Sequence, residues 1–259
     1  MRALWRRLRQ RSEQRAVQRR AIPEAIWQLT LARYPFLAWR DADDLAELRR
    51  LSSLFLDSKE FSGAHGLQVS DDMAVAIAAQ ACLPVLRLGL RPYDGFVGIV
   101  VQADEVQVRR EFVDDDGIVH EYDDVLAGEA MEGGPVMLSW RDVNEAGESA
   151  EWGYNVVVHE FAHVLDMGDG LADGIPPLPS VAERQHWRTV LMADYETFCQ
   201  RVDAGEETTL DPYGAESPEE FFAVASEAFF VAPQAMRAEH AALYNLLAGF
   251  YCQNPAHGS

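Results

Sequence analysis

The chain has 259 residues, 48% of them apolar and 25% charged, a composition that suits a globular protein with one large core. A net charge of −20 excludes nucleic acid and anionic membrane surfaces as main partners. No run approaches the roughly 18 apolar residues of a membrane span, and the arginine-rich start has no apolar run behind it, so neither a span nor a secretion leader is expected. Three scattered cysteines, Cys82, Cys199 and Cys252, have neither disulfide-framework nor metal-ligand spacing and point to a reducing cytoplasm.

Residues 1–22 form a basic arm, with eight arginines against the single acid Glu13, and are expected to be flexible. The remaining 23–259 show no repeat and no linker, and read as a single domain. Pro23 opens a helix carrying Ile26, Trp27, Leu29 and Leu31, which Tyr34-Pro35 ends. Asp41 to Leu56 is an amphipathic helix with Leu45, Leu48, Leu51 and Phe55 at helical spacing. Phe61 to Gly66 reads as a loop. Ser70-Asp71-Asp72 caps a third helix running to Cys82, and periodicity does not decide whether Val85 to Leu90 extends it or forms a strand.

From Asp94 to Trp140 the pattern changes to short β-like runs. Phe96–Val101 and Val106–Val113 come first, an acidic turn falls at Asp114–Gly117, and Pro135–Trp140 is the last strand. Gly147 to Gly153 is a loop. A long helix over Val181–Arg201 and two more over Pro218–Phe230 and Pro233–Tyr251 follow the central motif described next. About ten residues at the end read as disordered.

The central motif is H-E-x-x-H at His159–His163. On a helix two residues four apart stand one turn apart on one face, so both imidazoles converge on a single ion, while Glu160 stands beside it. Val158, Phe161, Ala162 and Leu165 form an apolar stripe, and Asn155, His159, His163 and Asp166 a polar one. A catalytic zinc site takes three protein ligands and leaves one position open. The third is expected from Ser217 to Glu227, where Glu220 and Glu227 stand about two helical turns apart on one face. Ser217-x-x-Glu220 is also a capping box, which would occupy Glu220 and leave Glu227 as ligand. Spacing leaves the two open. Asp166 or Glu227 is the candidate to hold an imidazole from behind.

The stretch N-V-V-V-H-E-F-A-H-V-L-D-M-G-D-G, followed by D-P-Y and E-E-F-F-A-V-A-S-E-A-F-F, resembles the Mlc titration factor A family of zinc peptidases. L-P-V-L-R-L-G-L and G-P-V-M-L-S-W upstream are similar to it too, so the match covers about residues 41–255. The resemblance implies a gluzincin-like site with His159, His163 and Glu220 on Zn2+, Glu160 as the catalytic glutamate and Tyr213 steadying the transition state. It also implies an α+β fold, mostly helical and zincin-like, with a small mixed sheet over about residues 95–140 packed on the H-E-x-x-H helix. The expected function is hydrolysis of peptides or proteins by a zinc-activated water with Glu160 as general base, with endo- and aminopeptidase action both open. Substrate backbone is expected to add to an edge strand at Val136–Trp140. Enterobacterial members bind a glucose-responsive repressor, so a transcriptional repressor is the implied partner. The rival expectation is a regulator-sequestering protein with structural zinc, in which Glu160 would have no use.

Overall fold

The computed structural model describes residues 2–113, 119–131 and 133–257. The acidic turn expected at 114–117 lies outside them. The basic segment is helix α1 (Arg2–Arg19). Its second half lies against α4 (Ala42–Ser58), with Ala16 buried, Glu13 paired to Arg50 and Arg19 to Asp57. These ion pairs are exposed and hold the helix lightly. Between them come α2 (Glu24–Arg33) and the single turn α3 (Pro35–Ala38). Trp27 of α2 is buried, whereas Leu29 is 49% exposed. Asp41 caps α4 by accepting the Asp44 N–H, and Leu48, Leu51 and Phe55 form its inner face.

Next in the chain are β1 (Glu60–Gly63), α5 (Asp71–Cys82) and β2 (Gly98–Gln102), then β3 (Val106–Val113), β4 (Val119–Leu126), β5 (Gly128–Ala130) and β6 (Val136–Ser139). The sheet order is β1-β2-β6-β5, parallel across the first three and antiparallel at β5. This is the small mixed sheet expected, with two changes of membership. Phe61 to Gly66 is not all loop, because its first half pairs with β2 as an outer strand. β3 and β4 pair with each other as a separate ribbon.

Pro135–Trp140 holds the last strand, as expected, but not at the sheet's edge. The strand stops at Ser139, whose Oγ accepts the Asp142 N–H and starts α6 (Trp140–Ser149), which runs into the loop expected over 147–153. β6 therefore cannot receive a peptide: β2 pairs with one side of it and β5 with the other. Among the described residues, the free edge beside it is β5.

The rest is helical: α7 (Val156–Asp166), α8 (Val181–Asp203), α9 (Pro218–Val231), α10 (Pro233–Glu239) and α11 (Ala241–Tyr251). The last two were expected as one helix. His240, with φ −119° and ψ 52°, breaks it, and its buried ring takes Asp194 of α8 at 3.1 Å. Among the last described residues the chain is packed rather than loose, since Gln253 donates to the Leu83 carbonyl and the Ala256 N–H to the Tyr244 hydroxyl.

Helix α7 lies at the centre, touching α5, α6 and α9 with its sides and β5 and β6 with another face. Val158, Phe161, Ala162 and Leu165 are all buried, as their spacing requires. Phe161 sits 4.9–5.8 Å from the ring centroids of Phe55, Tyr93 and Phe96, which locks the helix to α4 and to the segment leading into β2. Every residue of α9 from Phe221 to Val231 is buried. The fold thus packs one helix bearing two histidines against one core helix bearing Glu220 and Glu227.

Candidate metal centre

Asn155 starts α7, its side-chain oxygen accepting the Val158 N–H at 2.9 Å. After Asp166 the chain turns through Met167–Asp169 to Gly170, whose φ of 86° is the left-handed value that glycine adopts without strain. Within that span His159 and His163 point the same way, their Nε2 atoms 3.1 Å apart. Glu220, in the first turn of α9, places Oε2 at 3.1 Å from Nε2 of His159 and 3.3 Å from Nε2 of His163.

Glu220 is free to do this because capping does not consume its side chain. Ser217 Oγ accepts the Glu220 backbone N–H at 3.3 Å, so only half of a capping box forms. Glu227 lies behind the cluster. Its Oε1 is 2.7 Å from His159 Nδ1, the nitrogen facing away from Glu220, and its Oε2 accepts the Asn155 N–H. Asn155 in turn donates its amide to Gln80 Oε1 at 2.8 Å, and Gln80 donates to the Ala76 carbonyl. Glu227, Asn155 and Gln80 are at most 1% exposed.

That chain of bonds decides the imidazole. A proton on Nδ1 shared with Glu227 leaves Nε2 with its lone pair, pointed at the Glu220 carboxylate and at the second histidine. Two lone-pair nitrogens and a carboxylate oxygen about 3 Å apart repel one another unless a cation stands between them. The spacing also suits one, because ligands about 2.0–2.1 Å from a tetrahedral ion lie about 3.3 Å from each other. Among the described residues, His159, His163 and Glu220 form the one group with metal-ligand geometry, and their donor atoms all lie within 4.8 Å.

Burial opposes ionisation throughout the site. It acts against a charged His159 ring, but the carboxylates of Glu227 and Glu220 outweigh it and raise the ring's affinity for a proton. It acts against Glu220 as well, where the two facing histidine rings prevail and hold the carboxyl well below the ordinary range. For Glu160 burial wins and lifts the carboxyl to about 7, against the pull of the two histidines.

Glu160 is 5% exposed and lies under β5, against Gly128. Asp166 is not on an imidazole: its Oδ2 accepts the Gly174 N–H at 2.8 Å, and its Oδ1 has no partner among the described residues. Tyr213 stands at the mouth of the site on the turn Pro212–Ala215, 41% exposed, with its ring centroid 6.1 Å from that of His159. A cavity of about 940 Å³ opens farther along α7, beside Val164, Met167 and the tip of the β5–β6 hairpin, without including the three donors.

The sequence reading missed Gln80 and Gly128. Gln80 carried a signal, as the lone polar residue in the run Ala76–Cys82. Gly128 carried none.

Comparison with known proteins agrees with this geometry. The model of the family described as glucose-regulated metallo-peptidase M90 matches residues 5–252. An uncharacterised protein of Synechocystis is 38% identical over 231 residues, covering 88% of this chain and 84% of its own length. Mlc titration factor A of Cronobacter sakazakii is 36% identical, with 88% of this chain and 86% of that protein covered. Its counterpart in Klebsiella pneumoniae is 35% identical, with 90% and 87% covered. A match this long, on a chain whose two histidines and glutamate meet at one point, places the protein in the glucose-regulated metallo-peptidase M90 family.

Proposed function

We propose that the protein is a zinc-dependent peptidase, with His159, His163 and Glu220 as the metal's ligands and Glu160 as general base. The convergence of these three donors, with a buried carboxylate beside them that is not needed as a ligand, carries this reading. The N/N/O donor set suits zinc, which when bound supplies a Lewis acid that polarises a peptide carbonyl and acidifies water. Glu160 takes the proton from the attacking water and hands it to the leaving amine. Its raised proton affinity fits a group that must both accept and return one near neutral pH. Glu227 holds the His159 ring in the tautomer that offers Nε2, while Tyr213 at the mouth reaches toward charge developing on the carbonyl oxygen. Substrate backbone adds to the outer edge of β5.

The name Mlc titration factor A supports a second reading for the same chain, binding of a transcriptional regulator. The two are compatible, since a closed structural site would need a fourth ligand and no Glu160. Cytoplasmic residence fits the three free cysteines, and no described helix is long and apolar enough to cross a membrane.

Digestion of a broad peptide mixture, read by mass spectrometry, tests the enzyme. Wild type cleaves, Glu160→Gln does not, and both hold equal metal; the fragment ends separate endopeptidase from aminopeptidase action. Cleavage retained by Glu160→Gln would overturn the assignment of the base.

A further inference from the structure

We infer that Gly128 is the positioning residue for Glu160: the missing side chain on the edge strand is the space in which the glutamate carboxylate lies. A Cβ built on Gly128 would stand 2.5 Å from Oε1, 2.6 Å from Cγ and 2.7 Å from Cδ of Glu160. Ordinary carbon contacts begin near 3.5 Å, so all three overlaps are severe. Backbone conformation does not explain the glycine, because Gly128 is not among the residues with positive φ. Strand pairing does not explain it either. Gly128 sits in regular antiparallel register with Leu138, a position where glycine weakens a strand.

The contact includes Cγ, which is tied to the helix through Cβ. An added methyl therefore cannot be avoided by swinging the carboxylate end alone; the side chain must turn about its Cα–Cβ bond. No hydrogen bond among the described residues holds the Glu160 carboxylate, so contact sets its place. Glu160 is buried beneath β5, and Gly128 forms the wall that defines how far it lies from the point where the three donors meet. The same glycine lets the free edge of the sheet approach α7 closely. A peptide added to that edge is thereby brought within reach of the base.

The steric coupling stands on geometry alone, whereas its effect on turnover rests on the peptidase reading above. A stability cycle separates the two. Gly128→Ala is expected to lower the Tm of the full chain by about 5 °C through overpacking. In a Glu160→Ala background the same substitution is expected to cost nothing, since the methyl then fills vacated space. Equal losses in both backgrounds, or no loss in either, would overturn the inference. Should Gly128→Ala alone fail to fold, a folded double variant supports it and an unfolded one sinks it. On the enzyme, Gly128→Ala should keep its metal and KM while kcat falls about 100-fold, the scale of a misplaced catalytic group. Unchanged kcat with an intact stability cycle would retain the wall and remove its catalytic importance.

Discussion

Glu227 shows how one residue can decide the chemistry of a proposed metal site without being one of its ligands. It is 1% exposed on a helix otherwise filled with aromatic and small side chains, and burial raises its affinity for a proton. His159 Nδ1 and the Asn155 N–H offset that cost, and both require an acceptor. Glutamine keeps the shape of the residue but offers one acceptor where two are needed, setting an amide N–H against one of the two donors. Glu227→Gln is therefore expected to weaken metal binding about 10–100-fold, measured by competition with a chelator. Unchanged affinity would show that His159 needs no support from behind.

Among the elements, α7 owes its placement to both ends as much as to its buried stripe. Asn155 fixes the first turn and links it to α5 through Gln80. Asp166 fixes the last turn to the following loop by accepting the Gly174 N–H, while burial lifts its carboxyl to about 6 from an ordinary 3.8. A carboxyl whose proton affinity is raised by folding stabilises the fold fully below its unfolded pKa. That contribution is lost as pH rises through about 4 to 6. Asp166→Asn retains an acceptor for Gly174 and removes the buried charge. Relative to wild type, the metal-free variant should gain on the order of 2 kcal/mol in urea unfolding between pH 4 and pH 7. A constant difference across that range would mean Asp166 does not titrate with folding.

For the whole molecule, the proposed metal site joins two helices far apart in the chain. The donors come from α7 and α9, which are also packed through the core. Metal binding should therefore stabilise the entire cooperative unit rather than one loop. At about 100 times the Kd, zinc should raise Tm by roughly 5–10 °C in calorimetry, and a chelator should reverse the gain. His159→Ala should abolish the shift. A shift that survives that substitution would place the ion elsewhere.

The H-E-x-x-H spacing and the apolar stripe of α7 were legible from the residues alone, because helical geometry follows from local sequence. So were most helices, the short β-like runs and a shortlist of two for the third carboxylate. Tertiary packing decided the rest. Glu220 and Glu227 are equivalent by spacing. They are separated only by where α9 lies against α7, which sends one to Nε2 and the other to Nδ1 of the same ring. Edge and interior strands look alike in sequence too, so β6 was expected at the edge that β5 holds, and the brief pairing of β1 passed for loop. Gly128 is the clearest case. A glycine in a chain is silent about what occupies the space beside it, and only the fold brings Glu160 there from thirty-two residues away.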